Sequence, residues 1–557
     1  MERNSYSCGK MAGLLKTLLI LMLVLGAAFP ALAHENNRQR IIPLDSDIYK
    51  DIDTLYLLGG LTPPSYARPW SEAEADFILS RLNPEKFSEA EKLAYDNILR
   101  NMEKNIILGK DEKGGMAIGA EVNLEAYSQT DNERDEWIHG YEERLPLLKI
   151  PVEGWLWDSF YFDVDIDIKE GHDVETEADY DYCNFPEQFQ YIDAAIPFRA
   201  FFSVGGDNWN VQYGRDKLSW GNGTVSNLLL SDYADYFNFL KFTTYWKVLK
   251  FTAVYANLDS HLTPEEKDID STDPGLTRGN YDNYREQYKA FMAHRLEARI
   301  SDRLSVAASE AVIFGNKYPE MGNLNPFSIF HSIFAPEYSN VMASLEVNYS
   351  PLKGLDLYLQ AAMDEFQVSL EDSGSRPGAL GYLGGAKYAF PLHEGFMTVS
   401  LEGAWTDPYL YNRWHPLTRF TARRRYWSYL DDGYLYVDKP IGYRYGPDAA
   451  ICYLGAEYRV LADIRLGADL TVKFMGELNS SLSDPLSYET GDSANEKNSP
   501  SGTVEREIVV GFHGEKHIND RLRIGGDIYY INVDNYQNIS GETVNDMEVA
   551  VHCSYKF

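Results

Sequence analysis

Residues Met547 to Phe557 read M-E-V-A-V-H-C-S-Y-K-F, and that strict alternation restricts them to a strand with two unlike faces. Met547, Val549, Val551, Cys553, Tyr555 and Phe557 fall on one side, and Glu548, Ala550, His552, Ser554 and Lys556 on the other. A strand of this kind, ending on an aromatic residue, suits the wall of a transmembrane barrel, where one face meets lipid and the other a wet lumen. Half-buried strands of soluble sheets have the same period, so the reading needs support from the rest of the chain.

The opposite end supplies it. Arg3, Lys10 and Lys16 precede an apolar run from Leu18 to Ala28, and Ala31-Leu32-Ala33 forms a small-x-small site. This pattern predicts a secretory signal peptide over residues 1–33, cut after Ala33. The run is shorter than the ~20 apolar residues that a membrane-crossing helix needs. Cys8 lies before the apolar run, which argues against a lipoprotein signal. An exported chain that crosses a membrane without apolar helices has to do so as a closed barrel. The expected location is the outer membrane of a bacterium with two membranes.

Composition agrees. The chain has 40 Tyr, 26 Phe and 10 Trp, 14% aromatic residues, yet its mean hydropathy is −0.37. Aromatic girdles around a polar interior have that profile. The formal charge is −33, and loss of Arg3, Lys10, Lys16 and Glu2 with the leader makes it more negative still. Such a chain repels nucleic acid and favours cations in any lumen it encloses. Cys183, Cys452 and Cys553 remain after cleavage, and no structural disulfide is expected.

Residues 34–112 are expected to form a helical domain on the periplasmic side, and residues 113–557 the barrel. Ile48, Ile52, Leu55 and Leu58 recur at helical spacing behind Ser46, and Gly59-Gly60 ends the helix. Ser71 with Glu74, and Ser88 with Glu91, are capping boxes that open two further helices. From Met116 onward the period is that of strands. In 160–168, Phe160, Phe162, Val164, Ile166 and Ile168 alternate with Tyr161, Asp163, Asp165 and Asp167. The three aspartates are expected to be solvated lumenal groups. Similar runs cover 236–246, 247–258, 288–301, 303–315, 340–350, 355–364, 379–390, 395–406, 449–460, 463–476, 504–514 and 519–532. Short turns alternate with the long polar stretches 259–287, 407–446 and 477–503, which are expected outside the cell. The predicted fold is a mainly-β, antiparallel transmembrane barrel of roughly 16 to 18 strands, even in number as in this class.

The stretch 407–446 concentrates aromatic and basic residues, among them Arg413, Trp414, Arg423, Arg424, Arg425 and Trp427. Flat rings pack on sugar C–H surfaces, and guanidinium groups grip carboxylates in a fork. These six residues are the candidate polysaccharide contacts, although an aromatic girdle has the same composition. Motifs of catalysis are missing: there is no Gly-x-Ser-x-Gly, no His-Glu-x-x-His and no phosphate loop. No cofactor, metal site or enzymatic activity is expected.

Gly214-Arg215 and Trp220-Gly221-Asn222-Gly223, followed by Asn227 to Ser231-Asp232, resemble the core motif of the Wzi-type capsule assembly family. A second patch comprises His294-Arg295-Leu296, Ser309-Glu310 and Asn325-Pro326. The chain departs from the family pattern at Leu218-Ser219, where a further aromatic often stands beside the Trp-Gly pair. The residues themselves suggest an inward fold that packs the barrel interior, with Glu310 pairing with Arg295 or Arg299. The resemblance implies a non-enzymatic outer-membrane barrel with a helical periplasmic unit, which binds or organises capsular or extracellular polysaccharide like a lectin. Expected partners are that polysaccharide, outer-membrane lipid, and the barrel-assembly machinery through the strand ending at Phe557. The alternatives are a porin-like channel with an acidic, cation-favouring lumen, and a purely structural surface protein.

Overall fold

The computed structural model describes residues 37–557 except 103–105, 111–112, 131–133, 135–136, 172–182, 186–191, 193–197, 268–287, 316–317, 320, 334–338, 366–378, 414–415, 429–432, 461–463, 480–497 and 520. For 100–102, 106–110, 333, 365 and 427–428 it describes the backbone alone. The predicted leader 1–33 therefore lies outside the described residues, as does Trp414.

The wall is a closed antiparallel barrel of 18 strands. Gly114–Ile118 and Glu121–Gln129 run on as one wall strand, against which Thr543–Lys556 closes the barrel with Glu548 opposite Gln129 and Lys556 opposite Glu121. Alternation sorts the two faces as expected. In the closing strand Val551 is 53% exposed and Met547 42%, whereas Glu548 is 1% and Ser554 2% exposed. Every second side chain thus points outward, where a bilayer would cover it, and the others point into a packed lumen.

Asp163 and Asp165 are buried in the lumen and are not the solvated groups expected. Asp163 binds Arg199 at 2.7 Å and Asp165 binds Lys149 at 2.8 Å. A carboxylate withdrawn from water needs a partner charge, and the interior supplies one. Cys452 and Cys553 are free thiols.

Three helices, α1 (Asp47–Gly59), α2 (Glu72–Leu79) and α3 (Glu89–Met102), precede the barrel. Ser46 caps α1 by accepting from the Ile48 N–H, and Gly60 ends it at φ 73°, a left-handed angle that glycine adopts without strain. Ser88 and Glu91 form a reciprocal capping box at α3: the Ser88 N–H donates to Glu91 at 2.7 Å and the Glu91 N–H to Ser88 at 3.4 Å. At α2 only half of the box forms. Ser71 accepts from the Glu74 N–H at 3.2 Å, while the Glu74 carboxylate is taken by Lys250 of the barrel wall.

These helices cover the end of the barrel where the turns are short. The Gly354 N–H donates to Leu57 O at 2.7 Å, the Thr62 N–H to Asp302 O at 3.0 Å, and Arg81 to Lys247 O at 2.7 Å. Lys250 also donates to Ser65 and to Ala67 O, both at 2.9 Å, and Glu297 accepts from Ser65 at 2.7 Å. Arg459 reaches Asp47 at 3.3 Å and pairs with Asp51 as well. The cap is therefore joined to wall strands on both sides of the mouth.

One expectation fails at the other end. The described residues of 407–446 do not project outward. They fold into the barrel, where Leu410, Tyr411, Phe420 and Ile441 are fully buried in one apolar cluster with Trp220, Leu228 and the inward side chains Ala311, Met342 and Leu383. The physical reason is apolar area: Leu410, Phe420 and Ile441 gain more from this core than from water.

Candidate functional site

The lumenal core is built by two segments that meet. The first follows the wall strand Trp209–Asp216 and runs inward to Tyr236. Gly221 adopts φ +127°, and a Cβ there would lie 2.2 Å from the Asn227 side-chain oxygen, so only glycine fits this close approach. Trp220 pairs with Ala67 of the helical unit and donates its N–H to Leu230 O at 2.9 Å. Asn222 donates to Asp356 at 2.8 Å and accepts from Lys387 at 2.7 Å, and the Gly223 N–H donates to Asn227 at 2.9 Å. The Ser231 N–H donates to Ile441 O at 2.8 Å, which ties the first segment to the second. Asp232 is exposed in the short helical turn that Ser231 caps. At Gly214 the angle is again left-handed, φ +138°, with the Phe201 backbone 2.5 Å from where a Cβ would stand.

The second segment carries a hairpin, Thr421–Ser428 against Gly433–Pro440. Its three consecutive arginines face different surroundings. Arg423 is gripped by Glu266 at 2.7 and 2.9 Å and by Asp438 at 2.8 Å, with 7% of its side chain exposed. Arg424 contacts Asp235 at 3.1 Å and Tyr236 O at 2.9 Å. Arg425 binds Asp259 at 2.7 Å and keeps 29% of its side chain exposed. Its guanidinium lies 5.2 Å from the centre of the Tyr434 ring. Arg413 is buried in the same fold, and the side chain of Trp427 lies outside the described residues.

Between this hairpin and the wall lies a lumenal cavity of about 1340 Å³. Arg215, Arg424, Arg425, Tyr236, Tyr426 and Tyr434 border it together with Asp163, Asp165 and Asp167. Of the lining residues, Tyr236 joins the site only through the fold, as does Arg199, the partner of Asp163. Arg215 is half-buried and donates to Asn238 at 3.2 Å. The segment 137–147 adds Tyr141 and Glu142 to the cavity wall. Burial pushes the Glu142 carboxyl up, but Lys439 at 3.1 Å and the Tyr426 hydroxyl outweigh it and hold the group below the usual carboxylate range. Rings and guanidinium groups opposite carboxylates can hold a polyhydroxylated chain by stacking and by directed hydrogen bonds. Nothing in 137–147 marked it as lumenal beforehand, since isolated Tyr and Glu residues carry no periodicity.

Glu310 is a correction. Neither Arg295 nor Arg299 pairs with it: Arg295 points into the lumen and binds Glu346 at 3.0 Å and Glu297 at 3.2 Å, and Arg299 binds Asp302 at 3.0 Å. Glu310 shares a cross-strand position with His294, one residue out of phase with Arg295, and so points outward. It accepts from the Phe330 and His331 N–H groups, both at 2.7 Å. Asn325 and Pro326 belong to the same outer loop, where Asn325 accepts from the Phe327 N–H at 3.1 Å. Of the second patch, His294, Leu296, Glu310, Asn325 and Pro326 therefore lie on the outer side of the barrel, while Arg295 and Ser309 point into the lumen. Among the described residues no cluster of His, Cys, Asp and Glu is arranged to hold a metal ion.

An outer-membrane β-barrel with a helical cap and an inward-folded core defines the class. Residues 197–543 match the family of the capsule assembly protein Wzi, and the chain belongs to that family. Among solved structures it is similar to Wzi of Escherichia coli, an outer membrane protein involved in group 1 capsule assembly and described as a carbohydrate-binding β-barrel. The two share 12% identity, with a TM-score of 0.56 over 93% of this chain and 99% of that one. It is also similar to the outer membrane protein OprD of Pseudomonas aeruginosa, at 10% identity and a TM-score of 0.39 over 79% of this chain and 94% of that one. No curated protein matches the chain.

Proposed function

We propose that the protein is a non-enzymatic, lectin-like barrel that binds or organises capsular or extracellular polysaccharide, and that its lumenal cavity is where the glycan is held. The observation that carries this reading is the set of Arg424, Arg425, Tyr426 and Tyr434 on an inward hairpin facing a cavity of about 1340 Å³. The carbohydrate binding described for Wzi of Escherichia coli supports it. Of the arginines in 407–446, Arg425 is the strongest candidate contact, because it borders the cavity and keeps part of its guanidinium accessible. Arg423 acts instead as an internal tie. The porin reading is disfavoured by the apolar core that Trp220, Leu228, Leu410 and Phe420 form inside the barrel.

The same reading assigns residues 1–33 to a leader removed after Ala33, 34–112 to a periplasmic unit and 113–557 to the membrane-inserted barrel. The outward apolar face is the lipid contact, and the strand ending at Phe557 is the handle for barrel assembly.

The test is binding of the detergent-solubilised protein to polysaccharide extracted from its own cell surface, with planar-bilayer conductance recorded on the same preparation. Saturable binding without steady conductance is expected. Arg425→Ala with Tyr434→Ala should weaken binding about tenfold, ~1.4 kcal/mol, with the barrel intact. Unchanged affinity in that variant would remove the cavity assignment. Steady cation-selective conductance without binding would replace the lectin by a channel.

A further inference from the structure

The outward-facing pair His294 and Glu310, 3.5 Å apart, stands in the middle of wall strands whose neighbouring outward residues are apolar. Leu296 and Leu345, on the same outer face, are 49% and 57% exposed. A carboxylate left bare among such side chains would be costly next to hydrocarbon. It is not bare. The loop that follows the strand Leu304–Gly315 returns down the outside of the barrel, and Phe330 packs on the His294 ring at 4.5 Å between centroids. Phe330 is 1% exposed and clusters with the outward side chains Met292, Val312 and Val341.

The loop's own outer surface is the informative part. Phe327 is 73% exposed, Ile329 67% and Met321 85%. Phe327 stacks on Phe251 at 5.0 Å, and Phe251 lies opposite Leu296 in the wall, so the tip of the loop is level with the exposed apolar belt. Higher up, Tyr318 packs on Tyr288 at 4.4 Å. The backbone is equally telling. The N–H of Asn325 donates to Gly322 O, that of Ser328 to Asn325 O and that of Ser332 to Ile329 O. The Phe327 N–H donates to the Asn325 side chain, and those of Phe330 and His331 donate to Glu310. Irregular backbone is excluded from hydrocarbon because unpaired N–H groups cost several kcal/mol each. This loop goes toward that restriction by bonding the N–H groups of Asn325, Phe327, Ser328 and Ser332 within itself and those of Phe330 and His331 to Glu310, while turning its large apolar side chains outward.

We propose that residues 321–330 form a lipid-contacting wedge, a loop laid on the barrel's outer wall whose Met321, Phe327 and Ile329 side chains insert among lipid acyl chains, and whose seat is the His294–Glu310 pair. The occupant is lipid because the exposed side chains of Met321, Phe327 and Ile329 continue the apolar outer face that Leu296 and Leu345 present. Glu310 is a positioning residue: its two oxygens hold the turn at Phe330 and His331 against the wall.

The test is spin labelling of the full-length protein reconstituted in phosphatidylcholine vesicles, with Cys183, Cys452 and Cys553 replaced by serine or alanine. Ile329→Cys carries the label, Leu345→Cys reports the lipid-facing wall and Gly541→Cys a water-exposed turn. The label at 329 should collide with apolar oxygen as readily as that at 345, and should be shielded from a water-soluble nickel chelate. Collision with nickel as at 541 would overturn the proposal, and so would shielding from both reagents, which would mean a protein cover such as a second copy. Glu310→Ala should raise nickel access at 329 several-fold with the label at 345 unchanged. Glu310→Gln, which keeps one acceptor oxygen for one of the two N–H groups, should raise it less. If the alanine variant leaves access at 329 unchanged, Glu310 is not the seat.

Discussion

Arg423 sits between Glu266 and Asp438 with 7% of its side chain exposed. Removing one partner of such a buried set leaves the other charges uncompensated, at a cost of about 3–5 kcal/mol. Arg423→Ala should therefore loosen the inward hairpin, seen as faster amide hydrogen exchange over 421–440. Arg425→Ala should leave that protection largely in place. Asp51 allows a prediction with a sign. Burial pushes its carboxyl up to about 7, although Arg459 pulls the other way. Between its ordinary value of 3.8 and about 7 the docked state holds a proton that the free chain has released. Docking of α1 should therefore weaken as pH rises through that window and level off above it. Protease cleavage within α1, followed from pH 4 to pH 8, should become faster over this range, and Asp51→Asn should flatten the profile. None of these roles was legible in the residues themselves. An arginine that binds sugar and one that ties two carboxylates are the same letter, and the partners Glu266 and Asp259 are more than 150 positions away.

At the scale of elements, reading from sequence works where a local rule acts. Ser46 and Gly60 bound α1, Ser88 and Glu91 open α3, and period-two alternation separates outward Val551 from inward Glu548. It fails where elements are short or are held by distant contacts. The strands Leu148–Leu156 and Ala200–Gly206 include Pro151 and the pair Gly205-Gly206, which blur the alternation. The inward course of 407–446 depends on Leu228, Met342 and Leu383, which no local pattern reveals, and tyrosines and arginines serve equally well on a surface loop. Gly442 tests the joint between the two inward segments. A Cβ there would stand 2.1 Å from Leu228 O and 2.7 Å from the Tyr411 ring. Gly442→Val should part the segments while leaving the wall closed, so the hairpin becomes cleavable by protease in a protein that still migrates as a folded barrel on an unheated gel.

For the whole molecule, the inward core decides whether the barrel conducts. Deleting residues 421–440 should convert a silent barrel into a conducting one in planar bilayers, with cations preferred because the chain is strongly acidic. Unchanged conductance would mean that the remaining segments Lys217 to Tyr236 and the helical cap close the lumen by themselves. The cap also bears on the order in which the molecule is made. Asp47 meets Arg459 and Arg465, which lie 412 and 418 positions further along the chain. A ribosome delivers α1 early, yet the strands that carry its partners come near the end of synthesis. The first element to be exported thus has to wait, undocked, until the wall around it exists. Its docking is then a record in time that the strands Ala449–Val460 and Ile464–Met475 are in place, so that one of the earliest elements of the chain is among the last to find its partners.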